Sequence, residues 1–436
     1  MLYLLLFLSL LTIIYRWEYI IPVYVCLSLW INIEIKLGSI SFINLFIFLS
    51  FIISITIYRK KLLFKSKYDK LVIAFILYCF CSNIPTLLFA SFMKIEDQFS
   101  IVRSYLFYVI VYLLWRVDYN NKKWDRFVSI FVICSFVICF YGLFCYYTKT
   151  NYLVNALSSY YNSSVDILNR SDAQMDDGRL GLVGRIIGTA SYSIPYAILM
   201  VMWFYFIGSL KIFVRKKIYI LALFLVLTNL YLTGSRGAMF SLLAGISIFC
   251  FIIVPPRKRR LFLLLMIIVY FLLPLSTLFD EYNNVGGSTT DMRSAQLLAS
   301  WDMISLDLNT IVFGHGLGYA AYYIDTYGVY TDVHSFESVL FSSLVNTGIY
   351  GLLFIFIGQI IFMWKIANIM YVKGMISSRN YYYLCSMLFV HFLYSIIVGD
   401  SYGLLFYSLF FILLKRFIID RRKDYSYNVV SKLDAK

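Results

Sequence analysis

Arg236, Arg293 and His334 are the residues whose types best suit chemistry on a phosphorylated substrate. Arg236 sits in Leu232-Thr233-Gly234-Ser235-Arg236-Gly237-Ala238, with apolar sequence on both sides. A charge near hydrocarbon costs roughly 2.5–3.5 kcal/mol on insertion scales, so such a residue marks a functional position by default. Arg293 and His334 share one long polar stretch, residues 280–335. Guanidinium stays protonated and grips phosphate oxygens in pairs, and imidazole takes up a proton near neutral pH. Two fixed cations and one titratable base facing one compartment suit a reaction on an anionic, lipid-borne substrate. Arg185, in Gly184-Arg185-Ile186-Ile187-Gly188, adds a third cation, and Arg179 lies in the same polar stretch, residues 149–188. Arg103, inside an apolar run, is another costly charge that either pairs with Glu96 or Asp97 or faces the same cavity.

Glu337 follows His334 by three residues, so a helix beginning near Ser335 would bring them together. A carboxylate there would raise the basicity of the imidazole and set its tautomer. Spacing alone fits a helix cap beside an interfacial histidine somewhat better. The acidic residues Asp172, Asp176 and Asp177 fit a solvated loop better than a metal site, because no spaced ligand set accompanies them. The eight cysteines all lie in apolar runs and read as filling, so no metal and no disulfide is implied. Tyr319, Tyr322, Tyr323, Tyr327 and Tyr330 could stack on sugar rings. Anchoring at the membrane interface accounts better for tyrosines such as Tyr146-Tyr147 and Tyr381-Tyr382-Tyr383.

The elements that must position these residues are apolar. The chain has 436 residues, of which 61% are hydrophobic and 14% charged; soluble domains are nearer 45–50% and about 25%. Apolar runs cover 2–15, 19–33, 38–58, 71–92, 101–117, 127–147, 189–210, 218–234, 237–254, 261–279, 336–364, 380–398 and 401–418. A span needs about 20 apolar residues. The fold class predicted is an all-α polytopic membrane protein with 12 spans, or 13 if both short early runs cross. The whole of 1–436 forms one transmembrane domain, with long external loops at 149–188 and 280–335. The first run lacks a basic leader region and a cleavage site and reads as a retained span. Loops 59–70, 118–126, 211–217, 255–260 and 365–379 and the tail after 415 carry Lys and Arg, which places them and the C-terminus in the cytoplasm. Thirteen strictly alternating spans put the N-terminus outside; twelve with both ends inside require one early run to be re-entrant. The net charge of +15 falls in these short clusters, which argues against nucleic acid.

Within 280–335, Ser288-Thr289-Thr290-Asp291 reads as a helix start. Arg293, Leu297, Trp301, Ile304 and Leu308 then recur at intervals of three and four, which predicts an amphipathic helix on the membrane surface or roofing a cavity. Gly314-His315-Gly316-Leu317-Gly318 follows as a permissive turn.

Taken in order, these features resemble the O-antigen ligase/polymerase superfamily of bacterial envelope glycosyltransferases. The residues that carry the resemblance are Gly184-Arg185 through Pro195, Thr233 to Ala238, Arg293 to Trp301, Gly314 to Gly318, His334-Ser335, and Asn346-Thr347-Gly348-Ile349-Tyr350-Gly351. The family often has asparagine after the histidine and glutamate before the final glycine motif, where this chain has Ser335 and Asn346. The resemblance implies a GT-C-like architecture in the bacterial inner membrane with the active site facing the periplasm. It implies sugar transfer from an undecaprenyl-diphosphate carrier without cofactor or metal. Arg236 and Arg293 would hold the diphosphate, and His334 would take the proton of the acceptor hydroxyl, with inversion at C1. Arg185, Arg179, Arg103, Glu337 and Tyr319 would help bind substrate.

Two roles within the superfamily compete. A polymerase joins a lipid-linked glycan to another lipid-linked repeat unit, and a ligase moves it to lipid A–core. The extra cations favour the polymerase, because its acceptor also carries a lipid diphosphate. A chain-length regulator protein is then an expected partner. A lipid-linked oligosaccharide flippase is the reading from another class; the lack of an inverted repeat and the gathering of charges on one face speak against it.

Overall fold

The computed structural model describes residues 1–31, 34–38, 40–85, 103–161, 164–176, 184–210, 216–255, 258–260, 289–305, 307–328, 338–397 and 403–433. These are helical apart from turns and one two-stranded antiparallel hairpin, in which Lys36-Leu37 pairs with Ile40-Ser41. The chain divides into two compact units. The first comprises Met1–Ile73, Phe107–Phe240 and Ser401–Lys415; the second comprises Ala74–Leu106, Ser241–Asp400 and Arg416–Lys436.

The expected array of 12 or 13 spans is not found. Among the described residues three helices are long and apolar enough to cross a membrane: Lys122–Thr148, Arg236–Ile253 and Val339–Val372. The apolar helices Leu2–Tyr15, Trp17–Trp30, Phe42–Thr56, Ser193–Ser209 and Lys217–Leu232 are shorter. At 1.5 Å per residue a fifteen-residue helix reaches about 22 Å, against about 30 Å of hydrocarbon. Hydropathy counts apolar residues, but a span also needs an unbroken helix. The run 38–58 spends its first residues on the hairpin, so its helix begins only at Phe42. The run 101–117 is interrupted at 107–108 before the eight-residue helix Val109–Arg116. The helix Gly403–Leu433 carries Lys415, Arg416 and Asp420 in its middle. The run 261–279 lies outside the described residues. The GT-C-like architecture implied by the resemblance loses its support with the span count.

In the first unit the helix Lys216–Leu232 packs against both Asn121–Thr148 and Ser193–Ser209. Phe131 meets Phe206 edge-on at 4.9 Å, and the Trp203 indole donates to Ser135 Oγ at 2.7 Å. Such bonding is what a buried indole N–H requires.

In the second unit the helix Val339–Tyr350 runs through a π-helical turn, Gly351–Ile357, into Gly358–Val372. A wider turn displaces carbonyls from the regular ladder; Tyr78 Oη donates to one of them, Phe354 O, at 2.6 Å. The helix Thr289–Ile304 starts where its hydroxyl and acid residues place it, but Leu308 belongs to the next helix, Leu308–Phe313, capped by Asp307. Of its expected apolar face, Ile304 is buried against the protein, while Leu297 and Trp301 stay on the surface. Gln296, Ala299, Ser300 and Met303 are buried, whereas Leu297 and Trp301 are 46% and 49% exposed. Small and flexible side chains take the contact with the Val339 helix, where Met303, Ala320 and Val345 form one cluster.

Candidate functional site

The segment around Arg236 is a tight joint between the helices Lys216–Leu232 and Arg236–Ile253, and up to Phe240 it belongs to the first unit. The helix Lys216–Leu232 closes with Thr233 Oγ1 donating to Leu230 O at 2.6 Å and Gly234 N–H to Tyr231 O at 3.0 Å. Gly234 then adopts φ 63°, a left-handed conformation that ends a helix with least strain when no Cβ is present. The Ser235 N–H donates back to Thr233 Oγ1 at 3.2 Å, and the next helix starts at Arg236. Thr233, Gly234 and Ser235 are buried, and Arg236 is half-buried at the start of a span-length helix.

A second strand of backbone crosses this joint. Ile186 N–H donates to Leu232 O at 2.9 Å. Arg185, one residue before the crossing, is itself buried. Its N–H donates to Gln174 O at 3.1 Å and its Nη1 to Ser193 Oγ at 3.2 Å. Gln174 Oε1 also accepts the Ser193 N–H at 2.8 Å, so one glutamine sets both ends of the Arg185 contact. Two guanidinium-bearing residues, Arg185 and Arg236, thus flank one backbone hydrogen bond, although 51 positions separate them in the chain. Lys149, at φ 52°, donates from Nζ to Met175 O at 2.6 Å on the same side of the Gln174 helix.

Asn151 braces the crossing. Its Oδ1 accepts from Tyr141 Oη at 2.9 Å and from Val154 N–H at 3.2 Å. Its Nδ2 donates to Gly188 O at 3.0 Å and Ala190 O at 3.3 Å. Ser191 Oγ donates to Glu34 Oε2 at 3.0 Å, which brings a carboxylate to this segment. Composition and spacing did not mark Lys149, Asn151, Gln174 or Glu34. Lys149 was visible as the first cation of the polar stretch; the other three have no local signal, since tertiary contacts define their roles.

In the second unit the glycine turn and the final glycine motif interlock. His315 N–H donates to Val345 O at 3.0 Å and Gly316 N–H to Asn346 O at 2.7 Å. Asn346 Oδ1 accepts the Ala320 N–H at 2.8 Å, which caps the helix Tyr319–Tyr327 from a distance. Gly314 and Gly348 lie back to back at φ 66° and 60°. A Cβ on Gly348 would sit 2.6 Å from Gly314 N and from Val312 C and O, and one on Gly314 would sit 2.5 Å from Thr347 N. His315 Nε2 lies 2.8 Å from Met303 O, and its ring stacks on Tyr319 at 4.2 Å. Tyr319 also meets Tyr323 at 5.9 Å, and Tyr323 meets Tyr327 at 4.8 Å.

Of the expected site residues, the structure brings Arg185 and Arg236 to one joint. Arg293 lies in the first turns of the helix Thr289–Ile304, and Tyr319 opens the next aromatic helix. Arg103 is exposed on a helical turn at 103–106; Glu96 and Asp97, its expected partners, lie outside the described residues. Arg179, His334 and Glu337 lie outside them too. The helix expected to begin near Ser335 is described from Val339, with Ser338 Oγ accepting the Leu340 N–H.

Residues 221–356 match the family described as O-antigen ligase. This stretch contains Arg236, Arg293, Tyr319, His334 and Glu337 and both interlocking glycine segments, and it covers less than half of the chain. No curated protein matches the chain. The family match supports the broad O-antigen ligase/polymerase superfamily and an enzyme of that general class, and the three long apolar helices are consistent with a membrane protein.

Proposed function

We propose that the protein is an O-antigen polymerase, which transfers a glycan from its polyprenyl diphosphate to the non-reducing end of another lipid-linked repeat unit at the periplasmic face of the inner membrane. The observation that carries this reading is the backbone bond from Ile186 to Leu232, which joins the segments bearing Arg185 and Arg236 at the start of a span-length helix. A diphosphate leaving group gains negative charge as the C1–O bond breaks. Fixed guanidinium groups aimed at that charge lower the barrier without reorganising. Arg293 adds a cation from the matched segment. His334 takes the proton from the acceptor hydroxyl as its oxygen attacks C1, and the diphosphate leaves with the C1–O electron pair, so the anomeric centre inverts. The Tyr319 ring, held between His315 and Tyr323, offers a stacking surface for a sugar of the glycan.

The description of the matching family favours a second reading, an O-antigen ligase with lipid A–core as acceptor. Both roles use the same bond changes and differ in the acceptor. Purified protein incubated with one lipid-diphosphate oligosaccharide separates them. A ladder of elongated products supports the polymerase. Transfer only after lipid A–core is added supports the ligase, and translocation across vesicles without elongation rejects both. Arg236→Ala is expected to lower turnover by about 10²–10³, and His334→Ala to abolish the ladder while both variants still fold. Full activity in either variant removes that residue from the mechanism.

A further inference from the structure

The elbow between the helices Phe42–Thr56 and Lys67–Cys81 holds a cationic and apolar tip away from the protein by means of a buried ion pair. Asp69 and Arg116 are both buried, with Arg116 Nη1 3.1 Å from Asp69 Oδ2. The same Oδ2 accepts the N–H groups of Lys65 at 2.8 Å and Ser66 at 3.1 Å, and Oδ1 accepts the Trp115 indole N–H at 2.9 Å. Arg116 Nε donates to Lys61 O at 3.0 Å, and Tyr112 Oη donates to Leu62 O at 2.8 Å. Desolvation of two charges roughly cancels their attraction, so a buried ion pair is weak evidence of stabilisation. What this pair does achieve is to fix the backbone on both sides of Leu63 and Phe64.

Those two side chains point outward, 59% and 61% exposed, and Ile57 beside them is 53% exposed. They continue an exposed apolar line from Phe48, Ile52 and Ile55 on the preceding helix. Arg59, Lys60, Lys65, Lys67 and Lys70 surround the tip and are all exposed. Among the described residues three carboxylates are near, and Glu18, which faces Tyr58 and Lys61, is paired with Lys123. Asp69 is committed to the clamp, and Asp118 lies 3.5 Å from Lys65 on the surface. An apolar line that ends in a ring of cations matches the step from acyl chain to phosphate at a bilayer surface.

We propose that the elbow, residues 57–70, is a docking site for anionic phospholipid, with Leu63 and Phe64 entering the acyl boundary and the surrounding Arg and Lys side chains binding the headgroup phosphates. This is independent of the glycosyltransferase reading. It gives the Asp69–Arg116 pair a task, which is to hold the tip rigid so that its apolar residues do not fold back onto the protein.

The test is native mass spectrometry of the full-length protein titrated with phosphatidylglycerol and, separately, with phosphatidylcholine. Wild type is expected to retain phosphatidylglycerol at least fivefold better. Each cation near an anionic headgroup is worth about a fivefold change, so R59Q/K60Q/K65Q/K67Q is expected to lose the preference entirely. These four side chains are exposed, so the variant should keep its fold, which its melting curve checks. L63S/F64S is expected to weaken retention of both lipids. Equal retention of the two lipids by wild type, an undiminished preference in the quadruple variant, or displacement of phosphatidylglycerol by soluble glycerophosphate would each overturn the proposal.

Discussion

The joint at Gly234 and the interlock at Gly314 and Gly348 are built alike and carry different side chains. Each sets backbone against the end of a helix through carbonyl–amide bonds, at a glycine of positive φ. Each uses an asparagine carboxamide to satisfy the N-terminus of a short helix, Asn151 at Val154 and Asn346 at Ala320. The first joint carries Arg185, Arg236 and Lys149. The second has no charged residue in 312–320 or 345–348; its side chains are the His315–Tyr319 stack and the tyrosines beyond it. The backbone device is therefore neutral scaffolding. What distinguishes the regions is the type of side chain each scaffold carries, cations in one and ring faces in the other.

The interlock leaves no room for a side chain at either of its facing glycines, so a single methyl group can break it. Gly348→Ala is expected to destabilise strongly. Positive φ alone costs about 1–3 kcal/mol in a residue with a Cβ, and the new carbon would meet backbone atoms of Val312 and Gly314 that belong to the opposing turn. Gly328→Ala is the control. It has φ 86° but nothing within 4 Å, so it pays strain without overlap. Thermal unfolding in detergent should show Gly348→Ala melting well below Gly328→Ala. Equal melting would mean that the two turns are not held together in solution.

How much of this was legible in the sequence differs between the two regions. Arg185 and Arg236 could be read directly, because a charge amid apolar residues is conspicuous. Their convergence could not, because it depends on Gln174 and on one bond between Ile186 and Leu232, and no periodicity encodes either. The glycine runs at 314–318 and 346–351 were visible as motifs but not as partners of one another. The span count went wrong for a related reason: hydropathy is blind to the hairpin before Phe42 and the interruption before Val109, where apolar residues leave the helix. The start of the helix Thr289–Ile304 was legible from its hydroxyls, but the burial of its polar Gln296 and Ser300 was not. Met303 packs with Val345, while the larger Leu297 and Trp301 stay exposed.

The asparagines sharpen the comparison further. Asn151 is buried and serves two donors and two acceptors, whereas Asn346 is half-buried and its carboxamide caps one helix. Leaving buried polar groups without partners costs about 1–3 kcal/mol, so Asn151→Ala should lower stability by that order. Asn346→Ala should cost about 1 kcal/mol, the usual worth of a cap. Chemical denaturation of the two variants checks the ranking, and a larger loss at Asn346 would reverse it.

The smallest effect separates scaffold from chemistry most cleanly. Asn346→Asp keeps an oxygen where Oδ1 accepts the Ala320 N–H and adds a negative charge at the start of the helix Tyr319–Tyr327. A helix N-terminus favours an anion by about 0.3–1 kcal/mol, so the variant should be as stable as wild type or slightly more so at neutral pH. The carboxylate gains its partner only in the folded protein, so it binds protons less readily there than in the unfolded chain. Its contribution is therefore complete at neutral pH and is lost as acid protonates it. The variant's melting temperature should stand highest above that of wild type at pH 7, and the gap should narrow toward pH 4 and close only below the ordinary Asp pKa of about 3.9. If the second region is neutral scaffolding, turnover on lipid-linked oligosaccharide is unchanged by this added charge. A large loss of turnover with stability intact would show that an anionic substrate passes close to Asn346, and the division of labour between the two regions would fail.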